Sequence, residues 1–141
     1  MPQHIETPTA EDETAVEEQR SWVRNHYPPD SREHYGSVDG KLTLLEAILM
    51  RNWVASHETW KLQSLGITFG DALAQELGLS WVTIEDEYGR DPALRDGDTT
   101  TLLFPLTTIS KRVERGEVVD IRDLFEEACR TVRSLRDRQA S

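Results

Sequence analysis

The chain has 141 residues, 37% hydrophobic and 30% charged, with a formal net charge of −10. That length fits one domain able to bury its own core, and the negative balance repels phosphate backbones and anionic bilayers, which excludes nucleic acid and membrane as expected partners. Cys129 is the sole cysteine, so no intrachain disulfide is available, and the opening residues lack the apolar run of a secretory signal, which makes a cytoplasmic location the expectation.

Residues 1–8 are polar and punctuated by proline, and a disordered N-terminal tail is expected there. Thr9 and Asp12 have the N-cap and N3 spacing of a capping box, with Glu11, Asp12 and Glu13 where a helix dipole favours negative charge. The helix they open carries Ala15, Val16, Gln19, Trp22, Val23 and His26 at a 3.6-residue period, a narrow stripe on a surface helix. Pro28 and Pro29 end it. Residues 30–40 read as a loop turning at Gly36 and Gly40. A second helix is expected from Lys41 to Val54, with Leu42, Leu45, Leu49 and Trp53 on one side and Leu44 and Ile48 beside them, a wide apolar face that belongs in a core.

The third helix is the most telling. From about Thr59 to Leu77, Leu62, Leu65, Phe69, Leu73 and Leu77 form one stripe. Gly66, Gly70 and Ala74 form a second at steps of four. Two helical glycines cost about 1 kcal/mol each relative to alanine, so a neighbouring backbone pressed against the bare strip is expected to offset them. Gly78 follows as a residue able to end the helix at positive φ. Ser80 to Glu87 then reads as a strand delivering Trp81 to the interior. Ala93 to Arg95 and Thr99 to Phe104 read as two more, separated by turns at Asp91-Pro92 and Asp96-Gly97-Asp98. Ile109 and Val113 mark a short helix closed by Gly116. Asp120 and Asp123 repeat the capping spacing before a last helix to about Arg136, with Ile121, Leu124, Phe125, Ala128, Val132 and Leu135 inward. Residues 138–141 are expected to fray. The fold expected is α+β: a single domain over residues 9–137, its helices packed on a small three-stranded antiparallel sheet as one pair of layers.

The hairpin after Trp81 concentrates chemistry. Glu85, Asp86, Glu87, Tyr88, Arg90 and Asp91 fall within seven positions, with Glu85 and Glu87 on one face of an extended strand and Asp86 and Tyr88 on the other. Paired carboxylates on one face are raw material for proton transfer or cation binding. The competing reading is a solvated hairpin end with Arg90 and Arg95 as counter-ions. Trp81, Glu85, Asp86, Tyr88, Arg90 and Asp91 are therefore the candidate binding residues, and no catalytic residue is named.

Other chemistries fit poorly. The segment DEYGRDPALRDGD lacks the alternating oxygen ligands of an EF-hand loop. His4, His26, His34 and His57 are scattered, and one cysteine makes no ligand pair, so no metal or other cofactor is expected. Cys129 lies beside an apolar helix face as a buried, inert thiol. Asp71 follows Gly70, where a phosphate loop would need a cation. Trp22 and Trp60 lie on otherwise polar segments and mark a possible exposed interaction surface.

The segment from Leu62 to Phe125 resembles the bacterial family of domain of unknown function 3806. The likeness rests on Leu65-Gly66, Phe69-Gly70, Glu76-Leu77-Gly78-Leu79 and Trp81, then on Glu85-Asp86-Glu87-Tyr88-Gly89, Phe104-Pro105 and Ile109-Ser110-Lys111-Arg112. Trp22-Val23 and Gly40-Lys41-Leu42 fit its leading helices. The resemblance implies a single domain and no assigned activity.

Function is expected at the level of class. The first expectation is a small acidic non-enzymatic protein-binding module, immunity- or adaptor-like, docking on a protein with a basic surface. The alternative is an enzyme or small-molecule binder using Glu85 to Asp91, with Asp86, Tyr88 and Arg90 converging on a concave pocket. A homodimer through the glycine strip or the exposed tryptophans is the third.

Overall fold

The computed structural model describes residues 4–140. Along the chain come strand β1 (His4–Glu6), helix α1 (Ala10–Arg24), a 3₁₀ stretch (Pro29–Gly36), helices α2 (Val38–Met50) and α3 (Thr59–Leu77), strands β2 (Ser80–Asp86), β3 (Gly89–Arg95) and β4 (Leu102–Leu103), a 3₁₀ turn (Pro105–Thr107), and helices α4 (Thr108–Glu114) and α5 (Ile121–Ala140). The fold is α+β. Its sheet has four strands in the order β1-β2-β3-β4, every neighbouring pair antiparallel.

The extra strand corrects the expectation of three. His4–Glu6, placed in the N-terminal tail by composition, pairs with β2 through His4 and Glu85, Ile5 and Ile84, and Glu6 and Thr83. Three polar-flanked residues carry no period of their own; what fixes them is a partner about eighty positions away. Residues 1–3, the rest of the expected tail, lie outside the described residues. At the other end α5 continues to Ala140 rather than stopping near Arg136; Ser141 lies outside the described residues.

The hairpin also differs in detail. β2 and β3 turn through Glu87 and Tyr88, with Asp86 opposite Gly89, and Gly89 has φ +130°. Asp91-Pro92 is therefore strand, with Pro92 opposite Thr83. β4 reaches only Leu94 and Arg95, so Pro92 sits at a free edge, where its missing N–H costs no ladder bond.

Helix α1 opens as the spacing predicts. Thr9 N–H donates to Asp12 Oδ2 (2.9 Å) and Asp12 N–H to Thr9 Oγ1 (3.1 Å). Residues 30–40 are more ordered than a loop: the 3₁₀ stretch leads to Ser37, which caps α2 by accepting from Gly40 N–H (2.9 Å). Gly40 thus lies within the first turn of α2 rather than in a turn, and a Cβ there would meet the His34 carbonyl oxygen at 1.7 Å. The helix stops at Met50, short of Val54, and leaves Trp53 exposed on the connection.

Helix α3 is the centre of the molecule. It packs against α1, α2, the Pro105–Thr107 turn, α4 and α5. Leu62, Leu65, Ile67, Phe69, Ala72 and Leu73 are essentially inaccessible, and burying each large apolar side chain stabilises by about 1.5–3 kcal/mol. Phe69 meets Phe125 of α5 edge to face at 6.0 Å. The glycine strip does what its spacing predicts. A Cβ on Gly66 would lie 2.3 Å from the Pro105 carbonyl oxygen and 2.7 Å from that of Leu106; one on Gly70 would lie 2.6 Å from the Trp81 ring and 2.8 Å from the Pro105 ring. The chain's own backbone and indole fill the strip, which closes the route to a dimer through it. Gly78, at φ +68°, ends the helix.

Candidate functional site

Two arginine–carboxylate nodes and one aromatic ledge organise the polar surface. The first node is built around Asp71, the residue that follows Gly70 on α3. Arg20 of α1 donates to both its oxygens, Nε to Oδ2 at 2.6 Å and Nη2 to Oδ1 at 2.8 Å. The Tyr35 hydroxyl donates to Oδ2 (2.9 Å), and Trp81 Nε1–H donates to Oδ1 (3.0 Å). Thr68 completes the chain at 2.9 Å from the Tyr35 oxygen. The carboxylate therefore accepts four hydrogen bonds, which fills its capacity. Its side chain is only 11% exposed. Burial and the Asp71 charge push the Tyr35 phenol well above its ordinary range, so it stays a donor. The hydrogen bonds Arg20 donates to Asp71, against the cost of burial, hold it charged. Lys41 stands on the other side of Tyr35, 5.0 Å from the ring centre. Its ammonium donates to Gln75 Oε1 (2.7 Å), and burial draws its pKa down.

The second node is Arg90 on β3. Its guanidinium reaches Glu6 of β1 (2.8 Å), Asp12 of α1 (2.7 Å) and Glu85 of β2 (3.3 Å). Asp12 also accepts from the Thr83 hydroxyl (3.1 Å). The Arg90 hydrogen bond first, then the Thr9 N–H, hold the Asp12 carboxyl well below the usual carboxylate range. Arg90 thus fastens the N-terminal strand and the start of α1 to the hairpin.

Between the two nodes runs an open groove of about 690 Å³, bounded by α1 on one side and β2-β3 on the other. Of the residues expected to bind, Trp81, Arg90 and Asp91 line it, and Glu85, Asp86 and Tyr88 do not. Asp86 accepts the Tyr88 N–H (2.8 Å) within the turn, and Tyr88 is 88% exposed at its tip. Asp86, Tyr88 and Arg90 therefore do not converge on one pocket. Arg95, offered as a counter-ion, donates instead to the carbonyls of Thr99 (2.8 Å) and Asp98 (3.0 Å). Among the described residues, no group of three or more His, Cys, Asp or Glu is placed to hold a metal. Cys129 is buried, and burial pushes its thiol pKa up, away from nucleophile chemistry.

The aromatic ledge lies where α1, the α2–α3 connection and the start of α3 meet. Trp60 packs edge-on to Trp22 (6.1 Å), Trp22 edge-on to His26 (4.6 Å), and His26 stacks on Trp53 (5.6 Å). Trp60 is 47% exposed and Trp53 43%, with Met50 more open still. Two of the rings already carry cations from this chain: Lys61 Nζ lies 5.9 Å over Trp22 and the Arg51 guanidinium 5.2 Å over Trp53. Trp22 and Trp60 continue into a shallow groove of about 720 Å³ along α1, with Glu13, Glu17 and Glu18 on its wall. Glu17 is committed to Arg20 and Arg24. Glu13 and Glu18 form no ion pair among the described residues. Sequence reasoning found Trp22 and Trp60 but not their union with His26 and Trp53, and it missed the Asp71 node, whose partners lie far apart in the chain.

No helix among the described residues is long and apolar enough to cross a membrane. A family model described as Domain of unknown function (DUF3806) matches residues 41–125. No curated protein matches the chain. Among solved structures, the crystal structure of a protein from Bacteroides thetaiotaomicron VPI-5482 is similar, with a TM-score of 0.74 over 92% of this chain at 15% identity. This chain spans 48% of that one, about half its length, and at such identity the likeness concerns the fold alone.

Proposed function

We propose that this chain, which belongs to the DUF3806 family, is a non-enzymatic protein-binding module that docks on a partner with a basic surface. One observation carries the reading: the groups that look chemical are committed to one another, while the carboxylates Glu13 and Glu18, in the groove that ends on exposed rings, are left open. Arg20, Asp71, Arg90 and Asp12 spend their hydrogen bonds inside the molecule. Glu13 and Glu18 stand uncompensated on a chain of net charge −10. Such a field steers association toward positive partners and makes it sensitive to salt. The test is capture of a partner by the full chain at low salt, followed by identification and salt titration. The reading requires a partner with a positive surface, released as salt rises past about 0.5 M, where charges are screened within a few ångströms. A captured partner that is acidic or indifferent to salt defeats it.

A second reading has one observation in its favour. The groove between α1 and the hairpin has the volume of a small-molecule site, and Trp81, Arg90 and Asp91 line it. Its ligand would be largely apolar, because Pro8, Ala15, Val16, Trp81, Val82 and Pro92 are among the lining residues while the arginines there are occupied. A small molecule that shifts the Trp81 indole signal on binding would establish it.

A further inference from the structure

We infer that the docking surface is the groove along α1 that ends on the Trp22–Trp60 pair, and that its occupant is a basic amphipathic helix of the partner protein. The inference rests on the protein-binding reading and names where and how that binding happens. The groove extends from Ala10 to Asn25 beside a helix of 15 residues, a length of about 22 Å, or about four helical turns of a guest. Its chemistry changes along that length. Glu13 and Glu18 occupy the first part; Trp22 and Trp60 occupy the last, with His26 and Trp53 continuing the ledge.

A helical guest fits this better than an extended one. The wall is made of helix surface, whose backbone groups are already bonded, so an extended peptide would lay its N–H and C=O groups against a face that offers no ladder. A helix brings its own hydrogen bonds and needs only side-chain complementarity. Lysines or arginines on it would face Glu13 and Glu18. An apolar residue or an arginine would lie on the Trp60 indole, a ring type that takes cations on its face, as Trp22 does with Lys61 and Trp53 with Arg51. The competing occupant, a second copy of this chain, would bring another α1 carrying the same acids, and two chains of net charge −10 repel at this face.

The probe is a synthetic amphipathic helix of about fifteen residues with leucine on one face and lysine and arginine on the other, a length that matches α1. A second peptide replaces every lysine and arginine by glutamate. Binding is followed on the full chain at low salt through the four indole N–H signals of Trp22, Trp53, Trp60 and Trp81. The basic peptide should move the Trp22 and Trp60 signals and leave Trp81 still, since that indole is held by Asp71. The acidic peptide should move none. The double substitution E13K and E18K, at exposed positions on α1, should weaken the basic peptide about tenfold while the helical circular dichroism is unchanged. W60A should weaken it too, with the Trp22 signal still reporting what remains. Equal binding of both peptides overturns the inference, as does a mass of two chains by sedimentation at high concentration. Binding of the basic peptide that moves other signals and spares Trp22 and Trp60 overturns this surface while leaving the protein-binding reading intact; only the captured partner's charge and salt response can defeat the latter.

Discussion

The Asp71 node and the Arg90 node use the same chemistry at nearly the same distances, yet they hold the molecule together to different degrees. Each pairs a guanidinium with a carboxylate on α1 or α3, and each adds a neighbouring hydroxyl, Tyr35 in one and Thr83 in the other. The difference is water. Asp71 lies between α1, α3 and β2 with little exposure, whereas Arg90 sits on the hairpin surface with a third of its side chain open. In a partly dry site, removing one partner strands the other without solvent to replace it. On the surface, water and salt take over, so the same bond contributes little. Distance alone is a poor guide to which ion pair matters.

That contrast can be broken or sharpened by substitution. The largest effect is expected for Asp71→Asn, which leaves Arg20 with only the more exposed Glu17 as counter-charge and disturbs Tyr35 and Trp81 together. A loss of about 3 kcal/mol is expected in chemical denaturation, and a value within error of wild type would mean the node is as wet as the Arg90 one. Next comes Gly70→Ala. Its new methyl would displace the Trp81 ring and draw the indole N–H off Asp71. Gains in helix propensity recover part of the strain, and a net loss of about 2 kcal/mol is expected. The Trp81 indole signal should shift in the same variant.

Tyr35→Phe removes one donor from Asp71 and one acceptor for Thr68, for about 1 kcal/mol. It also tests the alkaline limit. Because the folded state raises the Tyr35 pKa through burial and the Asp71 charge, its contribution is complete below the ordinary phenol value of about 10 and fades as pH climbs above it. The wild type should lose stability over that range, and the phenylalanine variant should lose less.

The smallest effect is expected for Arg90→Gln. Its change in melting temperature should shrink further as salt is added. The same node governs the acid limit. Asp12 has a lowered pKa when folded, set first by Arg90. Its contribution is therefore present above the ordinary carboxylate value of about 4 and disappears as pH falls below it. Arg90→Gln should flatten that part of the acid unfolding curve. A large, salt-independent loss in this variant would reverse the ranking of the two nodes.

The Trp22–Trp60 ledge belongs to neither node, and its exposure suits a surface that meets something else. Half of it was readable from sequence, because Trp22 and Trp60 stand out among polar neighbours. The other half was not, since Trp53 looked like the end of a core stripe. Its helix stops at Met50, and Asn52 takes a left-handed conformation, φ +52°, which turns Trp53 away from the core and onto His26. The candidate binding residues of the hairpin show the converse. Their clustering in sequence was plain, but pleating and a two-residue turn send Asp86 and Tyr88 away from the groove that receives Arg90.

What the chain determined on its own is local: the Thr9–Asp12 cap, the stop at Gly78, and the bare strip of Gly66 and Gly70 that required a close neighbour. These follow from sterics and hydrogen bonding within a turn or two, so a few residues suffice to specify them. The fold decided what meets across distance. Pro105 and Leu106 came to fill the strip, His4–Glu6 became a strand, Arg20 found Asp71 across 51 positions, and Arg90 found Asp12 across 78. A charge reads the same in sequence whatever lies opposite it; only packing brings its partner near and sets how much water stays between them.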